Sequence, residues 1–150
     1  LSRCFTWKHS FYAHRWGATV GVCYHDGEHS GHAKEHHVRI ETEASFDSAH
    51  FLTDYYGKCE NLHGHRWRAV VYLEVADLQA DGTMKDMVVD FGVFKRAVRD
   101  LAEELDHTFL VEEGSLAATT LAALEAEGFS LTVLPFRTTA ENLARYVCDR

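Results

Sequence analysis

At 150 residues, with ordinary apolar and charged fractions, the chain is sized for one domain with a core of its own. Its 23 acidic against 15 basic side chains leave a net charge of -8, which argues against a general nucleic-acid binder with its basic stripe. No apolar run reaches the roughly 18 residues of a membrane-spanning helix, and no signal-peptide pattern opens the chain, so the reading is a cytoplasmic protein with neither membrane nor nucleic acid as partner.

The chain opens on Leu1 rather than Met, and the native N-terminus is expected upstream. Four cysteines, Cys4, Cys23, Cys59 and Cys148, form no CxxC pair and read as reduced thiols. Histidine is the anomaly: there are 11, and seven lie at or before His37. Residues 1–36 form a segment rich in His, Gly and aromatics, including His25-Asp26-Gly27-Glu28-His29-Ser30-Gly31-His32. Within it Ala18 to Tyr24 has the pattern of a strand, and the rest reads as turn and loop. Ser10-Phe11-Tyr12-Ala13-His14 echoes Ser45 to His50, too briefly to count as a repeat.

A regular domain begins at about residue 37 and runs to residue 150. From Val38, alternation puts Ile40, Thr42, Ala44, Phe46, Ser48 and His50 on one face of a strand, with Arg39, Glu41, Glu43 and Asp47 on the other. A second strand, His63 to Val75, carries His63, His65, Trp67, Ala69, Val71 and Leu73 on one face. Tyr55 to Asn61 is the intervening loop, and Asp81-Gly82 marks a turn. Asp90 caps a helix from about Gly92 to Leu105, whose stripe is Phe94, Val98, Leu101 and Leu105. A shorter helix is expected over Thr120–Glu127, stopped by Gly128, then an extended stretch from Ser130 to Phe136. Thr138-Thr139-Ala140-Glu141 fits a capping box for a last helix with Leu143, Tyr146 and Val147 inward. Strands first and helices after them indicate an α+β fold. A two-stranded ribbon does not stand alone, so further strands are required.

His63-Gly64-His65 is the strongest chemical signal. Residues two apart in a strand project to one side, so both imidazoles reach one ion, and His50 at the end of the neighbouring strand supplies a third nitrogen. Three protein ligands leave the fourth position of tetrahedral zinc open, as catalytic sites do. The competing reading is of buried histidines bonded to backbone. Cys59, four residues before His63, is a thiolate base, a nucleophile, a fourth zinc ligand or a small apolar loop residue. Asp106-His107 follows the long helix; an Asp that orients a His raises its basicity and makes a proton relay, although adjacent residues rarely bond each other directly. Glu141 is explained by capping. Lys58, Arg66, Arg68 and Arg137 are candidate contacts for a polyanion, with surface charge as the alternative.

Together these residues resemble the 6-pyruvoyl-tetrahydropterin synthase family, and most closely its bacterial branch, the 6-carboxy-tetrahydropterin synthases of queuosine biosynthesis. The markers are Phe46-Asp47-Ser48-Ala49-His50, Cys59-Glu60-Asn61-Leu62-His63-Gly64-His65, Val89-Asp90-Phe91-Gly92, Leu105-Asp106-His107 and Thr139-Ala140-Glu141-Asn142, in matching order from about His37 to Arg150. The resemblance implies the tunnelling fold, an antiparallel sheet with helices on one face, assembled from several subunits into a barrel with sites between them. It implies zinc on His50, His63 and His65, Cys59 as catalytic base, and Asp106 with His107 as relay. The implied substrate is 7,8-dihydroneopterin triphosphate, cleaved to 6-carboxytetrahydropterin, acetaldehyde and triphosphate. The family's last two strands, with the glutamate that anchors the pterin, have no match before Arg150. Incomplete sequence is preferred as the explanation over substitution by Ala18 to Tyr24. The alternatives are a zinc- or pterin-binding relative without turnover and a pyruvoyl synthase.

Overall fold

The computed structural model describes residues 37–150 in full and the backbone of residues 18–26. The remainder of the His-rich segment, including the echo at Ser10 to His14, lies outside the described residues. Two strands of 13 residues each, β2 (Val38–His50) and β3 (His63–Val75), pair antiparallel from Val38 opposite Val75 to His50 opposite His63. β1 (Ala18–Asp26) runs parallel to β3 on its other edge. After β3 come α1 (Phe91–Leu105), β4 (Thr108–Glu112), α2 (Ala118–Ala126), β5 (Leu131–Leu134) and α3 (Ala140–Asp149). The sheet order is β1-β3-β2-β4-β5.

Only the β2–β3 pair is antiparallel; β4 joins β2 and β5 joins β4 in parallel, so the sheet is mixed rather than antiparallel throughout. The connections account for this: α1 carries the chain back to a strand that opposes β3 and so lies parallel to β2, and α2 returns it from β4 to β5 in the same direction. The Thr108–Glu112 strand was not expected from sequence, because five residues carry too little periodicity to stand out.

Alternation fixes which face of the ribbon is covered. Thr42, Phe46, Ser48 and His50 are buried while Arg39, Glu41, Glu43 and Ser45 between them are exposed. Phe46 stacks on Trp67 with ring centroids 6.1 Å apart. On this face α1 lays down Phe94, Val98, Ala102 and Leu105, and α3 lays down Leu143, Ala144 and Val147, in one core with Leu110 and Leu134. Each fully buried leucine contributes about 1.5–3 kcal/mol relative to exposure. α2 buries no residue and stays outside this core. The opposite face keeps its charges: Arg66 forms a two-pronged pair with Asp47 at 3.0 and 2.7 Å, and Arg68 pairs with Glu43. These two arginines are therefore engaged surface charges.

The helix ends follow the sequence with one exception. Asp90 caps α1, its carboxylate accepting from the Val93 N–H at 2.9 Å. Gly128 ends α2 with φ of 85°, a left-handed conformation glycine adopts without strain. The capping box expected at Thr138–Glu141 is displaced by one residue. Thr139 is the N-cap, its hydroxyl accepting from the Asn142 N–H at 3.3 Å, and Glu141 simply stands in the first turn. Thr138 is wholly buried instead and turns toward the far end of β2.

Candidate metal centre

The β2–β3 register brings the three expected histidines together. His50 lies directly opposite His63, and His65 lies opposite Ser48, all on the covered face. Ring centroids are 4.6 Å apart for His50–His63, 4.7 Å for His63–His65 and 5.2 Å for His50–His65. One nitrogen from each lies within 4.8 Å of the other two, and these three residues form the one such cluster among the described residues. Trp67, itself 1% exposed, presses edge-on against His50 and His65 and closes the inner side.

Hydrogen bonds set the tautomers. A carbonyl oxygen only accepts, so His50 Nδ1–H donates to the Thr138 carbonyl at 2.8 Å and His63 Nδ1–H donates to the Asn61 carbonyl at 2.7 Å. In the neutral rings the lone pair then lies on Nε2, and both Nε2 atoms are buried without a partner. Burial pushes the His50 pKa down to about 4, the charges of His63 and His65 add to this, and the Thr138 carbonyl opposes it. Burial, followed by His63, also lowers that of His65. His50 is thus neutral near pH 7, the state a metal ligand requires.

Ser48 Oγ and Trp67 Nε1 are also buried without partners, so the four such atoms among the described residues share one end of the ribbon. A buried unsatisfied polar group costs about 1–3 kcal/mol, and their concentration makes this end of the ribbon the candidate binding site. Neutral imidazoles with orphaned lone pairs, each fixed by a backbone carbonyl, fit a divalent transition ion such as zinc.

Asp106 and His107 make a second constellation. The chain leaves α1 through Asp106, and His107 adopts φ of 53°, uncommon for a non-glycine residue. That curl lets two adjacent side chains meet: His107 Nδ1–H donates to Asp106 Oδ2 at 2.7 Å. The expectation that neighbours rarely bond is overturned here by the left-handed backbone. Asp106 Oδ1 accepts from the Asp47 N–H at 2.7 Å, and the His107 N–H donates to the Asp47 carbonyl at 2.6 Å, which clasps the pair to β2. The Asp47 N–H and then His107 hold the Asp106 carboxyl below its usual range, and Asp106 raises the His107 pKa. A cavity of about 470 Å³ has both His65 and His107 on its wall, with Ser48, Gly64, Phe109 and Phe129.

Cys59 occupies a single-turn 3₁₀ segment, Lys58–Glu60, as a half-buried free thiol. Its carbonyl accepts from the Leu52 N–H at 2.8 Å, tying the loop to the end of β2. It belongs neither to the three-histidine cluster nor to the cavity wall, so its role as a fourth ligand finds no support in this geometry. Lys58 lies on the same turn, and the Arg137 carbonyl accepts from Asn142 Nδ2 at 3.0 Å. The residues whose part in the site sequence reading missed are Asn61 and Thr138, whose backbone carbonyls meet His63 and His50 and leave no signature in residue type.

The model of the 6-pyruvoyl tetrahydropterin synthase family matches residues 39–150. The 6-carboxy-5,6,7,8-tetrahydropterin synthase of Haemophilus influenzae is 40% identical over 117 residues, spanning 75% of this chain and 80% of that protein. The Synechocystis protein of the same name is 39% identical over 88 residues, 58% of this chain and 68% of its own length. Among solved structures, an uncharacterized protein of Wolinella succinogenes superimposes with a TM-score of 0.56 at 21% identity, covering 74% of this chain and 81% of that one. The 6-pyruvoyl tetrahydropterin synthase of Plasmodium falciparum does so with a TM-score of 0.52 at 20% identity, covering 74% and 75%. The fold is the tunnelling fold, and the chain belongs to the 6-pyruvoyl tetrahydropterin synthase family.

Proposed function

We propose that this chain is a zinc-dependent 6-carboxy-5,6,7,8-tetrahydropterin synthase. It takes 7,8-dihydroneopterin triphosphate and water to 6-carboxytetrahydropterin, acetaldehyde and triphosphate, in queuosine biosynthesis. The observation that carries the reading is the trio of His50, His63 and His65, with His65 on the same cavity wall as His107. The relatives named for this reaction supply the substrate class.

His50, His63 and His65 would hold the zinc, which when bound polarises the substrate's side-chain oxygens and acidifies the adjacent C–H. The protein groups do the rest. Cys59, which lines neither the cluster nor the cavity of its own chain, takes the carbon-bound proton in the site of a neighbouring subunit. His107, its basicity raised by Asp106, accepts and returns protons as triphosphate leaves. Lys58 and Arg137 are the remaining candidate cations for the triphosphate, because Arg66 and Arg68 are engaged by Asp47 and Glu43. The working form is a cytoplasmic homo-oligomer with sites between subunits. No described helix is long and apolar enough to cross a membrane.

The test is incubation of zinc-loaded protein with 7,8-dihydroneopterin triphosphate, with products identified by mass spectrometry. The carboxy product and acetaldehyde are expected; a pyruvoyl product or none overturns the assignment. The position of Cys59 away from the cluster favours one alternative, a zinc- or pterin-binding relative without turnover. Cys59→Ala separates the two: the synthase loses product formation while keeping its metal, and the binder is unchanged in both.

A further inference from the structure

We propose that Thr138 is a positioning residue whose hydroxyl and carbonyl together lock the tautomer of His50 and tie the start of α3 to the metal centre. The inference rests on the metal reading only for its effect on affinity. Thr138 is 0% exposed and lies 88 residues from His50 in sequence. Its carbonyl stands 2.8 Å from His50 Nδ1, and its Oγ1 stands 3.2 Å from the same nitrogen. The hydroxyl proton is committed elsewhere, donated to the Phe51 carbonyl at 3.2 Å. Facing His50, Thr138 therefore presents two acceptors and no donor. Only an Nδ1–H imidazole satisfies both, which leaves the lone pair on the orphaned Nε2.

The hydroxyl also acts as a strap. By holding the carbonyl of Phe51, the residue after His50, it spans the end of β2 and the segment entering α3. That segment is fixed from its far side. Thr139 N–H donates to the Arg137 carbonyl at 2.8 Å, Asn142 Nδ2 donates to the same oxygen at 3.0 Å, and the Thr139 hydroxyl caps the helix. The docking of α3 thus decides where the acceptors for His50 stand. Groups that orient metal-binding histidines in this way change affinity by about 10–100-fold when removed.

The test compares wild type with Thr138→Val, which keeps the shape and removes the hydroxyl, and Thr138→Ser, which restores it. Cobalt(II) serves as probe. We expect Thr138→Val to bind cobalt about tenfold more weakly with an altered ligand-field spectrum, and Thr138→Ser to match wild type in both. Equal affinity and an unaltered spectrum in Thr138→Val would overturn the proposal. Should Thr138→Val fail to fold, Thr138→Ala carries the same comparison. Nitrogen-15 NMR of the metal-free protein adds a readout that needs no ion: His50 is expected protonated on Nδ1 in wild type and, because the carbonyl still accepts, in the hydroxyl-less variant too, where both ring nitrogen shifts are expected to move as the unstrapped carbonyl loses its placement. An Nε2-protonated wild type, or no change in the variant, refutes the role of Thr138. A wild type that takes up no cobalt refutes the metal reading instead, and the tautomer measurement still decides this one.

Discussion

Acidification of the metal-free protein should reveal the buried imidazole of His50. An ordinary histidine titrates at 6.5, and burial brings His50 down to about 4. Between those values the unfolded chain binds a proton that the folded one refuses, so stability rises with pH across that window and is lost as pH falls from about 6.5 to 4. At 1.36 kcal/mol per pH unit the gap is worth about 3 kcal/mol, against a total of roughly 5–15 kcal/mol for a domain. His65 shifts in the same direction and adds to the slope, and its charge and that of His63 face His50 directly. His107 acts oppositely: its pKa is raised, so its contribution is present at low pH and fades as pH rises through the folded value. Comparison with His50→Gln isolates the term, because the glutamine amide can still donate to the Thr138 carbonyl but does not titrate. Urea unfolding in chelator, from pH 4 to 7.5, should give a shallower pH dependence for His50→Gln by about 3 kcal/mol over the window. Superimposable pH profiles would refute the reasoning.

His63→Ala and His65→Ala each leave two imidazoles, and zinc retained through gel filtration should fall from about one ion per chain to near none, with the far-ultraviolet circular dichroism unaltered. Asp106→Asn leaves one oxygen where two donors, Asp47 N–H and His107 Nδ1–H, need acceptors. The His107 pKa should therefore fall, measured by NMR titration, and an unmoved value would remove Asp106 from the relay. Thr139→Ala should destabilise the fold by about 1 kcal/mol through loss of the α3 cap, read from urea unfolding midpoints.

The β2–β3 ribbon was legible because alternation over 13 residues is a strong signal and its polar face is charged. α1 was legible from Asp90 and the stripe at helical spacing. The direction of β4 and β5 was not, since parallel pairing depends on where a helix returns the chain and not on any residue within the strand. The capping box failed for a related reason. The pattern favours Thr138, which has Glu141 three residues on, and a tertiary demand overrides it: the Thr138 hydroxyl is drawn to Phe51 and His50, leaving that of Thr139 to cap.

In the site itself, sequence reading posed two alternatives that the structure leaves compatible with each other. Histidines bonded to backbone and histidines awaiting a metal look like rivals when only residue types are known. Here the backbone bond suits the ring to metal binding: each carbonyl takes the Nδ1 proton of His50 or His63, and in the neutral ring that leaves the free lone pair on Nε2. The same logic explains why His107 serves differently. Its Nδ1–H also meets an oxygen, but that oxygen belongs to a carboxylate, which raises the proton affinity of the ring where burial lowers that of His50. A neutral carbonyl partner in a buried setting suits an imidazole to metal binding, and a charged partner at the surface suits it to carrying a proton. His50 and His63 fall on one side of that line and His107 on the other, and the division comes from their partners' chemistry rather than from the spacing that first drew attention to them.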